Sequence, residues 1–132
     1  MWAANKGDLV KPLNSASAAT LLKRIDHALD CEIRSIAILS PADIAIRFSV
    51  QDRGREFDWI DLVFEVNGIS DARLIDEEKL PHVDMSEGIS IIIEGSRAGI
   101  GIGRYTSLAN LCDSPICLLG SSIKYEEAAF SG

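Results

Sequence analysis

The sequence predicts an α+β fold, in which one N-terminal amphipathic helix packs on a mostly antiparallel, twisted sheet of about six or seven strands. Two observations lead to this prediction. Apolar residues recur at helical spacing over residues 15–30, and from Glu32 onward the apolar residues alternate with polar ones. A chain of 132 residues fits one domain, so we expect residues 1–132 to form a single unit with an N-terminal segment, 1–13, and a frayed tail, 126–132.

The helix is the first element, and its apolar stripe is flanked by polar residues such as Lys23, Arg24 and His27. Asn14, Ser15 and Ser17 are all suitable N-caps, and the sequence does not choose among them. The stripe consists of Ala18, Leu21, Leu22, Ile25, Ala28 and Leu29.

Strands are predicted wherever apolar and polar residues alternate in a stretch that has turn residues at both ends. Asn67-Gly68 predicts a hairpin, and we expect a three-residue loop with Gly68 in the left-handed conformation, because this register keeps charges off the core face. Residues 76–88 read as an acidic connection with little regular structure. The predicted strands are 32–39, 43–51, 57–66, 69–75, 89–94, 99–104 and 116–125, the last interrupted at Gly120.

The predicted core lies between the helix stripe and one face of the second and third strands. Large side chains on that face each contribute about 1.5 to 3 kcal/mol when buried. They are Ile44, Ile46, Phe48, Ile60, Leu62 and Phe64.

Charge and cysteine content narrow the class of partner and the compartment. A net charge of −7 disfavours nucleic acid and anionic membranes and favours a basic protein partner. Three cysteines, Cys31, Cys112 and Cys117, form no recognisable framework, so we expect buried free thiols in a reducing compartment. Because the first eight residues lack an apolar signal-peptide core, we expect a cytoplasmic protein.

No residue pattern identifies a catalytic centre or a cofactor site, and we lean towards a protein that is not an enzyme. The only candidate metal ligands are His82, Asp84 and Glu87, in a loop where solvated side chains are the commoner interpretation. Gly99-Ile100-Gly101-Ile102-Gly103 is compatible with a phosphate-binding loop, but its alternation favours a strand whose glycine side is closely approached.

Two surfaces are candidates for binding a partner. The outer face of the predicted hairpin carries Phe57, Trp59 and Asp61, with Arg47 expected opposite either Asp61 or Trp59. An alternative is that later strands, or the N-terminal segment with Trp2, cover this face. The second candidate is the acidic stretch that contains Asp76, Glu77 and Glu78.

The run from Phe57 to Leu74, FDWIDLVFEVNGISDARL, resembles a pattern in small single-domain bacterial proteins of unknown or toxin-immunity function. The resemblance implies a protein-binding or regulatory module, such as an immunity protein that neutralises a basic partner. One alternative is a small-molecule-binding protein or enzyme, with a pocket between helix and sheet or beside residues 99–103. Another is a homo-oligomeric structural protein that associates through the Trp59 face.

Overall fold

The computed structural model of the chain describes residues 10–131. Over that range nine strands form two antiparallel sheets, one of five strands and one of four, and a ten-residue helix lies near the N-terminus. The predicted α+β class is confirmed. The strands are divided between two sheets, where one sheet was expected.

The elements follow the predicted order closely. The five-stranded sheet has the order β1-β9-β4-β3-β2, and the four-stranded sheet has the order β5-β8-β7-β6. A 3-10 helix, Glu77–His82, lies within the predicted acidic connection. The bounds are β1 Val10–Pro12, α1 Ser15–Arg24, β2 Glu32–Ser40, β3 Asp43–Asp52, β4 Asp58–Asn67, β5 Asp71–Arg73, β6 Ile89–Glu94, β7 Arg97–Ile102, α2 Leu108–Leu111, β8 Cys117–Gly120 and β9 Ser122–Ala129.

Helix α1 begins at a capping box. The side chain of Asn14 accepts a hydrogen bond from the backbone N–H of Ser17, and the Ser17 hydroxyl accepts one from the backbone N–H of Asn14. Two of the N–H groups that a helix leaves unpaired at its start are thereby satisfied. Asn14 is therefore the N-cap among the three residues that the sequence allowed.

The prediction that this helix continues to Asp30 is wrong, because after Ile25 the backbone adopts left-handed dihedral angles. Asp26, His27 and Ala28 form a turn with φ angles of 54°, 55° and 58°. Residues with a Cβ avoid this left-handed region at about 1–2 kcal/mol each. The turn is packed against Gly88, where an added Cβ would collide with the carbonyl oxygen of His27.

The core agrees with the prediction and extends further. All six predicted strand residues are buried, and in the register of β3 and β4 Phe48 lies opposite Leu62 and Ile46 opposite Phe64. The buried residues of α1 belong to the same hydrophobic cluster. That cluster also takes in Ile100 and Leu118 of the four-stranded sheet. The core is therefore shared by the helix and both sheets.

The predicted hairpin at Asn67-Gly68 is wrong. Strand β4 pairs with β3 and β9, whereas β5 pairs with β8 in the other sheet. The predicted last strand is likewise divided at Gly120 into β8 and β9, one in each sheet. The two pairs, β4 with β9 and β5 with β8, thus form one antiparallel ribbon that bends from one sheet into the other. We call it the bent ribbon.

Backbone crowding fixes the bend of this ribbon. The N–H of Ser121 donates to the carbonyl oxygen of Asn67 at 2.9 Å, and Gly68 has the predicted left-handed conformation, with φ of 64°. A Cβ at Gly120 would collide with the same Asn67 carbonyl oxygen. Only glycine lets the two crossing segments come this close.

The expected fraying of residues 126–132 is wrong for the described part of that segment. Strand β9 continues to Ala129, which lies opposite Ile60 of β4. Gly132 and residues 1–9, which include Trp2, lie outside the described residues. Within residues 10–131, no helix has the length and apolar character needed to cross a membrane.

The bend predicts a large effect of a small substitution. Gly120→Ala should lower the free energy of unfolding by about 2–3 kcal/mol, because the methyl group must displace backbone at the crossing point. Urea denaturation at neutral pH measures this change. The exposed turn substitution Ser96→Ala is the control, expected to stay within about 0.5 kcal/mol of the native chain. Equal stability of the two variants would contradict the proposed crowding.

Candidate functional site

The outer face of the five-stranded sheet carries an ion pair in which the carboxylate is buried and the guanidinium is partly exposed. Arg47 lies opposite Val63, so the expected register opposite Asp61 or Trp59 is wrong, and Ser49 occupies the position opposite Asp61. Arg47 nevertheless reaches Asp61 diagonally, and its Nε donates to the carboxylate Oδ2 at 2.6 Å. The expected ion pair therefore forms across the diagonal.

The Asp61 carboxylate is fully buried although it lies on the outer face. Burial opposes its ionisation, but the hydroxyls of Ser131 and Ser49 and the Arg47 guanidinium donate to it, and together they hold its pKa below the usual range. The carboxylate therefore stays charged in the folded protein. It organises a buried polar network on this face.

Arg34 extends this network, and the sequence analysis missed it. Its Nε donates to the Ser49 hydroxyl at 2.7 Å, and its guanidinium lies 5.4 Å from the centre of the Phe130 ring. The register of β2 with β3 shifts between Ile33 and Ser35, so Arg34 is the extra residue of a bulge. In the sequence the bulge appears as a three-residue step between the core-facing residues Ile33 and Ile36, where regular alternation would give two, and this break in the alternation was the signal that could have identified Arg34.

Aromatic side chains lie beside the polar network. Trp59 packs on Phe130, with ring centres 5.6 Å apart, and remains 38% exposed. Phe57, which follows a turn into β4, is more than half exposed. The C-terminal segment therefore covers part of the face, and an exposed aromatic patch remains. We use the name aromatic face for the surface formed by Phe57, Trp59, Phe130, Arg34 and Arg47.

The second candidate surface is the predicted acidic stretch of residues 71–94, and we call its part before β6, residues 71–87, the acidic segment. Its acidic side chains, including Asp76, Glu77 and Glu78, are all exposed. Among the described residues, the ion pairs within this segment are limited to Asp76 with Lys79, whose charged atoms are 4.0 Å apart. Leu80 is buried in the hydrophobic core and fixes the segment to the body of the protein. The negative charge is therefore carried on an anchored surface.

The aromatic face and the acidic segment meet at one cleft. This cleft, of about 270 Å³, lies between the start of β2 and the 3-10 helix, and Arg34 and Glu77 both line it. Arg34 also contacts Phe130, so it belongs to both regions. The two surfaces that the sequence suggested separately are thus neighbours.

The candidate metal ligands His82, Asp84 and Glu87 line a larger cleft, of about 520 Å³, together with Tyr105. Within residues 10–131, no three histidine, cysteine or acidic side chains are grouped closely enough to hold a metal ion. Asp84 instead accepts hydrogen bonds from the backbone N–H and the hydroxyl of Ser86, which lower the pKa of its carboxyl group. These side chains therefore form the polar rim of a cleft.

The glycine-rich run lies in a strand, as its alternation indicated. Gly99 and Gly101 belong to β7, which pairs with β6. Added Cβ atoms at both positions would meet the side chain of Leu111 in α2, at 2.6 and 2.9 Å. The glycines therefore make room for a short helix, and the phosphate-loop interpretation does not apply.

A second ion-pair cluster ties the helix to the sheet. The Arg24 guanidinium donates to Asp52 at 2.6 Å and to Glu127 at 2.8 Å. The Asp52 carboxylate is fully buried, and Arg24 holds its pKa below the usual range against the opposing effect of burial. This cluster joins α1, β3 and β9, so we assign it to stability.

The cysteines differ in part from the prediction. Cys31 is free and buried, as expected. Cys112 and Cys117 form a disulfide with a Cα–Cα distance of 5.3 Å, so the expectation of free thiols at these positions is wrong. The bond closes a short loop between α2 and β8. It also removes one of the observations on which the expected reducing compartment rested.

Comparison of the chain with models of protein families, with curated proteins and with solved structures finds no match.

The buried carboxylate predicts a specific dependence of stability on pH. Because the folded state lowers the pKa of Asp61, its contribution is complete above the unfolded carboxyl pKa of about 3.9 and is lost as the pH falls through the lower folded value. Asp61→Asn should lower the free energy of unfolding at pH 7 by about 1–3 kcal/mol. The difference from the native chain should shrink at pH 3.

Urea denaturation at the two pH values checks this prediction. Asp113→Asn, at an exposed position, is the matched control and should change the free energy of unfolding by less than about 0.5 kcal/mol at either pH. An Asp61→Asn variant that loses the same stability at pH 3 as at pH 7 would show that the ionised form is not what stabilises the fold.

Proposed function

We propose that this chain is a protein-binding or regulatory module that holds a basic partner protein, as an immunity protein does. The observation that supports this proposal is the acidic segment. It presents exposed carboxylates that are largely free of ion pairs among the described residues, on a segment anchored in the core by Leu80. Unpaired surface charge is available to a partner, and it raises the rate at which an oppositely charged protein is captured.

The aromatic face supplies the other property that such an interface needs. Trp59, Phe57 and Phe130 are partly exposed, and aromatic residues with arginine are the types that contribute most to protein–protein affinity. Arg34 lies over the Phe130 ring and lines the same cleft as Glu77. A partner can therefore contact the acidic segment for steering and the aromatic face for affinity on one continuous surface.

Charge reversal tests the proposal. Asp76→Lys, Glu77→Lys and Glu78→Lys together should abolish capture of a basic protein from a lysate of the source organism. The control triple is Asp26→Lys, Glu94→Lys and Asp113→Lys, which changes three exposed acidic residues outside both the acidic segment and the aromatic face. Both triples alter the net charge equally, so only a local interaction distinguishes them.

The measurement is the amount of each captured protein, read by mass spectrometry at low and high salt. Binding through the acidic segment should weaken as salt screens it, since the screening length falls from about 10 Å at 0.1 M to about 3 Å at 1 M. Circular dichroism is used to check that each triple variant is folded. If both triples retain the same basic protein, the acidic segment is not the binding surface.

The larger cleft favours a second candidate, a small-molecule-binding protein or enzyme. Its volume of about 520 Å³ is within the range of ligand pockets, and Tyr105 and Val83 provide apolar walls beside the polar His82 and Lys79. The cleft also lies next to Gly103, at the end of the glycine-rich strand.

A thermal-shift screen against a panel of metabolites tests this second candidate. A ligand that binds only the folded state raises the free energy of unfolding by about 2.7 kcal/mol when its free concentration is about 100 times its dissociation constant. Tyr105→Ala should remove the shift, and Tyr125→Phe, away from the cleft, should leave it unchanged. A shift that survives in the Tyr105→Ala protein would place the ligand elsewhere.

A further inference from the structure

Phe130 and Ser131 cover part of the aromatic face without belonging to the sheet. The pairing of β9 with β4 ends at Ala129, which lies opposite Ile60. Phe130 remains 43% exposed and Ser131 is exposed, so side-chain contacts hold these two residues in place. Chain ends that lie outside the ladder of a sheet open at a small cost in free energy.

The ring of Phe130 contacts two side chains of the sheet. It packs on Trp59 with 5.6 Å between the ring centres, and the Arg34 guanidinium lies over it at 5.4 Å from its centre. Aromatic and cation–π contacts of this kind anchor partners in protein–protein interfaces. We use the name aromatic slot for the space beside Trp59 and Arg34 that the Phe130 ring fills.

Both walls of the aromatic slot are held by contacts that do not involve Phe130. The Nε of Arg34 donates to the Ser49 hydroxyl at 2.7 Å, and its guanidinium forms an ion pair with Glu32 at 3.2 Å. Because a guanidinium donates hydrogen bonds in its own plane, its face is left for stacking on a ring. Trp59 belongs to β4, inside the sheet. The aromatic slot therefore keeps its walls when the Phe130 ring leaves.

The residue after the ring makes a polar contact. The Ser131 hydroxyl donates to the carboxylate of Asp61, which also accepts hydrogen bonds from Ser49 and Arg47. Two donors remain when Ser131 leaves, and the carboxylate can accept a third. Phe130 and Ser131 thus show which chemistry fits this place, an aromatic residue followed by a residue whose side chain donates a hydrogen bond.

We propose that an extended segment of a partner protein, with an aromatic residue followed by a hydrogen-bond donor, binds in the aromatic slot and displaces Phe130 and Ser131. These two residues inhibit binding until they are displaced. An open groove of about 430 Å³, which Trp59 and Phe130 both line, gives the segment access from solvent. The partner is the one assumed in the proposed function, on which this inference rests. Trp59 and Arg34 are then residues that the partner contacts, and Phe130 is the residue that it replaces.

A peptide tests the aromatic slot without a partner. Phe130→Ala empties the slot in the full chain, and the probe is acetylated Ala-Ala-Phe-Ser-Gly, the sequence of residues 128–132. We expect a dissociation constant of about 1 mM, because one ring provides most of the contacts. The native chain should bind the peptide about tenfold more weakly, since its own Phe130 competes as a tethered group. The NMR shift of the Trp59 indole N–H, in a Trp2→Phe background, measures binding.

The control ligand is Ala-Ala-Ala-Ser-Gly, which lacks the ring. The control variant is Leu39→Ala, at an exposed apolar position outside the slot, and it should bind the probe as weakly as the native chain. Equal binding of the two peptides by the Phe130→Ala protein overturns the proposal, as does equal binding of the probe by the native and Phe130→Ala proteins.

A second variant tests the cover and leaves every wall of the slot unchanged. Ser131→Ala removes the hydroxyl that donates to Asp61, so it should increase the affinity of the probe about threefold over the native chain. Circular dichroism checks that each variant is folded. A Ser131→Ala protein that binds the probe no better than the native chain would show that Phe130 and Ser131 do not compete with it.

The captured partner gives opposite predictions for two aromatic residues. Phe130→Ala should increase the amount of basic protein captured by up to about tenfold, and Trp59→Ala should decrease it. Loss of the partner from the Phe130→Ala protein would show that Phe130 is itself a contact, which overturns the proposal. The peptide measurement needs no partner, so the aromatic slot and the proposed binding by the acidic segment can fail separately.

Discussion

The close crossing of two backbone segments, at Asn67-Gly68 and at Gly120-Ser121, determines how the rest of the molecule is arranged. Because β4 continues into β5 and β8 continues into β9, each sheet receives one half of the same paired ribbon. The hydrogen bond from Ser121 to Asn67 and the glycines on either side hold the two halves at the bend. The sheets consequently share one hydrophobic core.

The buried polar network on the outer face depends on this arrangement. Strand β9 lies against β4 only because the ribbon bends, and β9 leads the chain to Phe130 and Ser131. Those residues cover Asp61 and Trp59, which would otherwise lie on a solvated face. A buried carboxylate is stable only with several donors, and here two hydroxyls and a guanidinium supply them.

The features predicted well from the sequence are those set by neighbouring residues. Alternation along β3 and β4 identified the buried face, and the stripe of α1 identified its partner. The hairpin at Asn67-Gly68 was a local interpretation of a residue pair that here serves a long-range crossing. Alternation describes one strand and its two faces, so it cannot show which strand pairs with which. Gly120 did signal an interruption, but the change of sheet depends on contacts with Asn67.

The residues of the candidate site were likewise predicted where they belong to one regular strand pair and missed where they do not. Trp59, Phe57, Arg47 and Asp61 were named from one strand pair, and the ion pair between the last two forms even though their register was wrong. Arg34 and Phe130 were missed, because one lies in a bulge and the other follows a strand that was expected to be frayed. The disulfide between Cys112 and Cys117 was missed because spacing alone does not distinguish a bonded pair from two free thiols.

The left-handed turn after α1 has a consequence for the order in which the chain becomes structured. During synthesis α1 emerges early, but the left-handed backbone of Asp26, His27 and Ala28 is sterically unfavourable, and the local hydrogen bonds that hold it, such as that from the N–H of Ala28 to the carbonyl oxygen of Ile25, have to offset this cost. The residue that packs against this turn, Gly88, is made about sixty residues later. We therefore expect the turn that follows the helix to become fixed only after the middle of the chain has been made, although the helix itself is one of the first elements to be translated.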